Sequence, residues 1–198
     1  MQLLRLLPVA LLTWALPSAA TVVVVPTLEE MAIASEVIAE VTVGEARVFE
    51  EAPGRIVTYT ALEVTDAWKG CQTGAQLQVW QLGGELSGKS SWIVGAHRFS
   101  KGQRLVFFGV HSKTRQAVVP FGIGFGLFAV REDLTGLKVI EIVGDVVAFA
   151  PDQGNQAPPT RRYDSLASFQ EMVLRSERLQ TLPTMPVRGK LLRKPRRP

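Results

Sequence analysis

Residues 36–43 read Glu36-Val37-Ile38-Ala39-Glu40-Val41-Thr42-Val43. Val37, Ala39, Val41 and Val43 alternate with Glu36, Ile38, Glu40 and Thr42. That spacing predicts a strand with one buried face and one open face. Just upstream, Thr27-Leu28-Glu29-Glu30 fits a capping box, in which the Thr27 side chain takes an orphan amide and Glu30 reaches back. Leu28, Met31, Ala32 and Ser35 then share one face of a short helix. Downstream, Pro53-Gly54 predicts a turn. Ile56 to Asp66, rich in β-branched residues and Tyr, reads as a second strand that ends at Trp68-Lys69-Gly70. Leu77, Val79 and Gln81 alternate with Gln78, Trp80 and Leu82 in a third.

The pattern continues in short pieces. Gly83 to Gly102, rich in Gly and Ser, reads as a long loop. Arg104–Val110, Ala117–Val119, Phe125–Val130, Leu137–Val143 and Val146–Phe149 read as further strands, the last two closing the sheet. Glycines this frequent among strands mark bends and bulges. Short strands at close spacing, with no helices between them, predict antiparallel pairing in a sandwich or barrel. Pro151 to Pro159 is a polar linker. Asp164 or Ser165 then caps a helix whose face is Leu166, Phe169, Met172 or Val173, and Leu179, packed on the barrel. Pro183 and Pro186 stop it.

The chain has 198 residues, 46% of them apolar, 20% charged, and a single Cys. The apolar share excludes a disordered protein, and one Cys excludes an internal disulfide. The start, Met1-Gln2-Leu3-Leu4-Arg5, an apolar run to Leu16, then Pro17-Ser18-Ala19-Ala20, has the form of a signal peptide cut after Ala20. The run is too short to span a bilayer. The expectation is a secreted or periplasmic protein with no transmembrane segment after cleavage. The formal net charge is +4. Arg188, Lys190, Arg193, Lys194, Arg196 and Arg197 form a basic tail without an acid, so the excess belongs to the tail and not to the domain. The tail suits anionic surfaces such as lipid head groups or lipopolysaccharide. It has no aromatic residue for base stacking, so no specific nucleic acid is expected. The division is therefore 1–20 signal peptide, 21–150 β-barrel domain, 151–163 linker, 164–182 helix and 183–198 tail.

Several stretches carry the spacing of chemical motifs. Gly83-Gly84-Glu85-Leu86-Ser87-Gly88-Lys89-Ser90 has the spacing of a phosphate loop, whose amides, Lys and Ser hold a nucleotide and its magnesium. That site needs a helix after the Ser, and Ser91-Trp92-Ile93 favours strand. Asp145 is a poor magnesium ligand candidate. Gly122-Ile123-Gly124-Phe125-Gly126 has the wrong glycine spacing for a dinucleotide fingerprint and reads as a bend. His97 and His111 belong to no paired-His motif. Cys71 follows a turn; catalysis through it, or pairing between chains, is the sharper reading of an incidental thiol. The pairs Glu29-Glu30, Glu50-Glu51 and Glu132-Asp133 are neighbours in sequence, which on a strand face opposite ways. Trp68, Trp80 and Trp92 suit the core better than a ligand. No residue is assigned a catalytic, cofactor-binding or metal-ligating role.

The order and spacing of Ala34-Ser35-Glu36-Val37-Ile38-Ala39-Glu40-Val41, Thr58 to Val64, Trp68-Lys69-Gly70, Gln76 to Trp80 and Phe99-Ser100-Lys101-Gly102-Gln103-Arg104-Leu105-Val106-Phe107-Phe108 resemble a group of uncharacterised secreted bacterial proteins. Their strand order is in turn similar to the inhibitory domain of tissue inhibitors of metalloproteinases, a five-stranded Greek-key barrel of the OB type. The resemblance implies a mainly β fold: an OB-like antiparallel barrel with a short N-terminal helix and a C-terminal helix. Those inhibitors chelate a protease zinc through a mature N-terminal Cys. This chain has no Cys near Thr21 and only Cys71, so no inhibitory residue carries over. The expected function is a non-catalytic binding or accessory protein of the bacterial envelope or extracellular space. Its partner would be another protein, a protease among them, or a glycan, met by the Gly83–Gly102 loop and the adjoining barrel face. An exported enzyme of unknown type is the other reading.

Overall fold

The computed structural model describes residues 25–93, 95–142 and 160–181. The stretch read as a signal peptide, Asp145, the strand expected at Val146–Phe149, most of the stretch read as a linker and the basic tail lie outside the described residues. Chain order is α1 (Leu28–Ala34), β1 (Val37–Ala52), β2 (Arg55–Lys69), β3 (Gln76–Leu86), β4 (Lys89–Trp92), β5 (Arg104–His111), β6 (Val118–Pro120), β7 (Leu127–Asp133), β8 (Gly136–Glu141), β9 (Arg162–Tyr163) and α2 (Leu166–Thr181). The molecule is mainly β, with a closed five-stranded barrel and two helices, as an OB-like barrel requires. Around the barrel the order is β1–β2–β3–β6–β5, and β5 returns to β1. All barrel pairings are antiparallel except β3 with β6, a parallel contact of one register pair, Val79 with Val118. No helix among the described residues is long and apolar enough to cross a membrane.

The capping box forms as the sequence predicts. The Glu30 amide donates to Thr27 Oγ1 at 3.1 Å, and the Thr27 amide to Glu30 Oε2 at 2.7 Å. β1 departs from its prediction in two ways. It is not half open: Ile38 and Glu40 are as buried as Val37, Ala39 and Val41. The inward side chains meet Leu62, Val79, Leu105 and Phe107 inside the barrel. Ile38, on the other face, packs with Met31 and Ala32 of α1 and with Phe108, Phe128, Phe169 and Val173. The helices cover the face that the alternation left to solvent. Glu40 is tolerated there because Arg104, beside it on β5, bonds its carboxylate; buried charges persist when paired.

β1 also runs on to Ala52. Its register against β2 shifts between Val43 and Ala46, a bulge that absorbs Gly44-Glu45. An extra residue reverses the alternation, so the inward positions beyond it are Ala46 and Val48. At the far end the Pro53-Gly54 turn joins β1 to β2 as expected. Gly54 takes φ +75°, and its amide donates to Glu50 Oε1 at 2.6 Å.

The expected loop over Gly83–Gly102 is only half a loop. β3 continues to Leu86 and turns back as β4 through Ser87 (φ +50°) and Gly88 (φ +76°), the positive-φ pair that a tight hairpin needs. Gly83 and Gly84 are required by packing. A Cβ on Gly83 would lie 2.4 Å from Ser91 O, and one on Gly84 would lie 2.6 Å from Val48 Cγ1. The glycine content that suggests a loop instead marks close approach within a strand.

The later strands do not close the barrel. β6 and β7 share one edge of β5, interrupted by the turn 121–126, which is pinned to Phe108 at both ends. β7, β8 and β9 then extend the sheet outside the barrel. β9 takes Arg162 and Tyr163 from what reads as linker, paired to Ile140 and Val139. Arg161 bonds the Glu141 carboxylate through its side chain and backbone, and its Nη1 reaches Pro26 O at 3.0 Å, tying the chain's entry to β8. α2 places Phe169 among Phe128, Tyr163, Phe108 and Trp68, with ring centroids 4.6–6.3 Å away. Its stripe, read as packing on the barrel, buries Phe169 and Val173, with Phe169 against rings of the barrel strands β2 and β5 and of β7 and β9, while Met172 is exposed.

Candidate functional site

The bulge in β1 decides what the outer face of the barrel displays. With the alternation reversed, Arg47 and Phe49 turn outward. Arg47 lies opposite Tyr59 of β2, and Tyr59 opposite Trp80 of β3. In the next row Phe49 lies opposite Val57, and Val57 opposite Leu82. Phe49 and Tyr59 stack with centroids 5.4 Å apart and planes 11° apart. Phe49 remains 43% exposed. Beside these rings Arg47, Glu63, Gln76 and Gln78 line an open groove of about 760 Å³. Lys101 and Glu45 pair across it, and that bond holds the Glu45 carboxyl below its ordinary value.

Two turns frame this face. From the β5–β6 loop, Arg115 lays its guanidinium 4.2 Å from the centre of the Trp80 ring. Its Nε and Nη2 donate to the two Glu51 oxygens at 3.0 and 2.8 Å, a fork that fixes both groups. Arg55, just past the β1–β2 turn, approaches the same carboxylate at 3.3 Å and the Trp80 ring at 6.0 Å. The Arg115 hydrogen bond holds the Glu51 carboxyl below its usual range, and the two positive charges add to it. The return effect raises Arg115. Loop and hairpin are thus clamped together at one end of the aromatic face.

At the other side of Trp80 the sheet is thin. Because β3 and β6 share one register pair, a cleft of about 350 Å³ opens at their seam. Trp80, Leu82, Ile93, Ala96, Val119 and Ile123 line it. Ile93 and Ile123 are 40% and 57% exposed. Ile123 holds φ +69°, a conformation that β-branched residues avoid because the side chain crowds the backbone.

The motifs singled out in the sequence fall elsewhere. Lys89 and Ser90 open β4 of a hairpin, so no helix N-terminus faces them and the phosphate-loop spacing is coincidental. Gly122–Gly126 lies within a turn, as read. His97 Nε2 meets Gln103 Oε1 at 3.1 Å and its ring meets Phe99 edge-on, while His111 is exposed on β5, so the two are not brought together. Cys71 is partly buried against the barrel core, and burial raises its thiol. Glu30 belongs to the helix cap, Glu50 to the turn, Glu51 to the clamp, and Asp133 to a turn that bonds Thr135. Trp68 is in the core as expected, its Nε1 donating to Asp66 at 2.9 Å, whereas Trp80 sits in the outer face. Among the described residues no group of three or more His, Cys, Asp or Glu is placed to hold a metal ion.

Sequence reasoning missed Arg47, Phe49, Tyr59 and Arg115. Arg47-Val48-Phe49 does carry the alternation, but only when it is restarted after Gly44-Glu45. Arg115 gave no signal, because Glu51 and Trp80, the groups it joins, lie far from it in the chain. No protein-family model, curated protein or solved structure matches this chain.

Proposed function

We propose that this chain is an exported, non-catalytic binding protein, acting in the bacterial envelope or outside the cell, and that the outer face of β1–β2–β3 is its ligand surface. One observation carries the reading. The row Arg47–Tyr59–Trp80, with Phe49 beside it, lies on the outer face of the barrel, framed by the β1–β2 turn and by the β5–β6 loop, whose Arg115 covers Trp80 and leaves Arg47 and Phe49 exposed. Barrels of the OB type bind extended polymers across this part of their surface. Aromatic rings supply area at small entropic cost, and the neighbouring Arg, Glu and Gln side chains supply directional hydrogen bonds.

That mixture suits a polymer rich in amide or hydroxyl groups: another protein, a protease among them, or a glycan. The β3–β4 hairpin and Ile93, from the stretch first expected to bind, border the same face. The basic tail adds contact with anionic surfaces. The test is retention from envelope extract, and on a glycan array, by wild type and by a Phe49→Ala/Arg47→Ala double variant. The expected result is a retained partner and at least about a tenfold loss in the variant, as for a buried aromatic and Arg anchor. Equal retention by both proteins would refute the surface. Robust turnover in an activity screen, abolished by a single polar substitution, would replace the binding reading with an exported enzyme.

A further inference from the structure

The groove on the outer face has a floor and two unlike walls, and strand register sets them out. Along β2 the outward positions after Tyr59 are Ala61 and Glu63, which lie opposite Gln78 and Gln76 of β3. On β1 the bulge brings Gly44 beside Ala61. A Cβ on Gly44 would lie 3.3 Å from Ala61 O and 3.4 Å from Ala61 Cβ, so the two pack together and leave no side chain longer than a methyl group. That pair is the floor. The Phe49–Tyr59 stack stands one row away on one side, and Glu63 with Gln76 one row away on the other. Alternate residues of a strand are about 7 Å apart, so the floor is a slot one ring wide between an aromatic wall and a polar one.

The charges on this face cancel. Glu45 is matched by Lys101 within the groove, and Glu63 offsets Arg47. Beyond Trp80, Arg55 and Arg115 are offset by Glu51 and by Glu50, which bonds the amide beside Arg55. A charged polymer therefore finds no net opposite charge here. Arg47, Glu63, Gln76 and Gln78 are exposed and have no side-chain partner among the described residues. Together they offer both donors and acceptors, as hydroxyl groups require. A peptide adds to a sheet by pairing its amides along a strand edge. This groove lies on the face of β1–β2–β3, where the backbone groups point along the sheet and not into it.

We infer that the groove takes an uncharged, hydroxyl-rich glycan, with one sugar ring seated over Gly44 and Ala61. Its C–H face rests against the Phe49–Tyr59 pair, and its hydroxyls meet Gln76, Gln78, Glu63 and Arg47. The inference rests on the outer face being the ligand surface, and it narrows the ligand of that surface to one class.

Titration calorimetry with cellohexaose, laminarihexaose, maltohexaose and chitohexaose tests it, with hexagalacturonate as the charged counterpart. The expected result is saturable binding of at least one neutral sugar, tighter than that of hexagalacturonate. Its affinity should change less than about twofold between low and high salt, since no ion pair is made. Phe49→Ala should weaken it at least about tenfold. Gln78→Ala should weaken it about threefold to tenfold, the loss of one neutral hydrogen bond. Ala61→Leu, which raises the floor, should abolish it with thermal unfolding unchanged. Binding of no neutral sugar, tighter binding of hexagalacturonate, a steep loss with salt, or full binding by Phe49→Ala and Gln78→Ala would each overturn the inference. If no sugar binds while Phe49→Ala/Arg47→Ala still loses a protein partner from envelope extract, the surface stands and its glycan falls. Sugars and extract partners retained alike by wild type and that double variant refute both.

Discussion

The two outer faces of β1 have opposite fates. Near its start, Ile38 points out of the barrel and is fully buried, because α1 and α2 lie over it with Phe108, Phe128 and Phe169. Near its end, Phe49 also points out of the barrel and is 43% exposed, with Tyr59 stacked on its ring. One strand thus presents an apolar outer residue at each end, and the helices cover one end. The covered end forms a second core and adds stability. The open end adds little stability and keeps its rings available to a ligand. Residue type alone does not separate structural from functional aromatics; what packs over them does.

Breaking the covered end should cost most. Phe169→Ala empties the centre of the ring cluster and should destabilise by about 3–5 kcal/mol in denaturant unfolding. Phe49→Ala, measured in the same way, should stay within about 0.5 kcal/mol. Similar losses for the two variants would mean that both faces are structural.

Gly83→Ala comes next. It forces a side chain into a positive-φ position with its Cβ against Ser91 O, and should cost about 1–3 kcal/mol. Faster amide exchange in β4 than elsewhere would place the damage at the hairpin, whereas a neutral substitution would show that β3 does not need glycine there.

Thr27→Ala removes one half of the capping box and should cost about 1 kcal/mol. The loss should be close to additive with Phe49→Ala, since the two positions share no partner.

The smallest effect concerns the clamp over Trp80. The Glu51 carboxyl is held below its ordinary value when folded, so its contribution is fully present above the unfolded value. It is lost as pH falls through the lower, folded value. Tryptophan emission should therefore change below about pH 4 in wild type, and that step should be absent in Glu51→Gln. An identical acid titration in the two proteins would remove Glu51 from the clamp.

Much of the fold can be read along the chain because its signals are local. The Thr27–Glu30 cap, the Pro53-Gly54 turn and the alternations in β1, β2 and β3 each lie within a few residues of one another. Where the reading stopped short, a local signal was broken by a bulge or imitated by packing. Gly44-Glu45 interrupts the period of β1 and hides the outward Arg47 and Phe49. Gly83 and Gly84 look like loop glycines, yet they are small because Val48, Thr58 and Ser91 press against them.

The chain's own pattern of apolar residues, caps and turns determined that it is mainly β, with a helix at each end of the described fold. Such preferences are set by side-chain sterics and by hydrogen bonds within one segment. Only tertiary structure decided which outward faces are covered, that Arg115 reaches Glu51 and Trp80, and that the seam between β3 and β6 stays open. Those outcomes depend on distant segments meeting and on the geometry of closing a barrel, which no short stretch of sequence encodes.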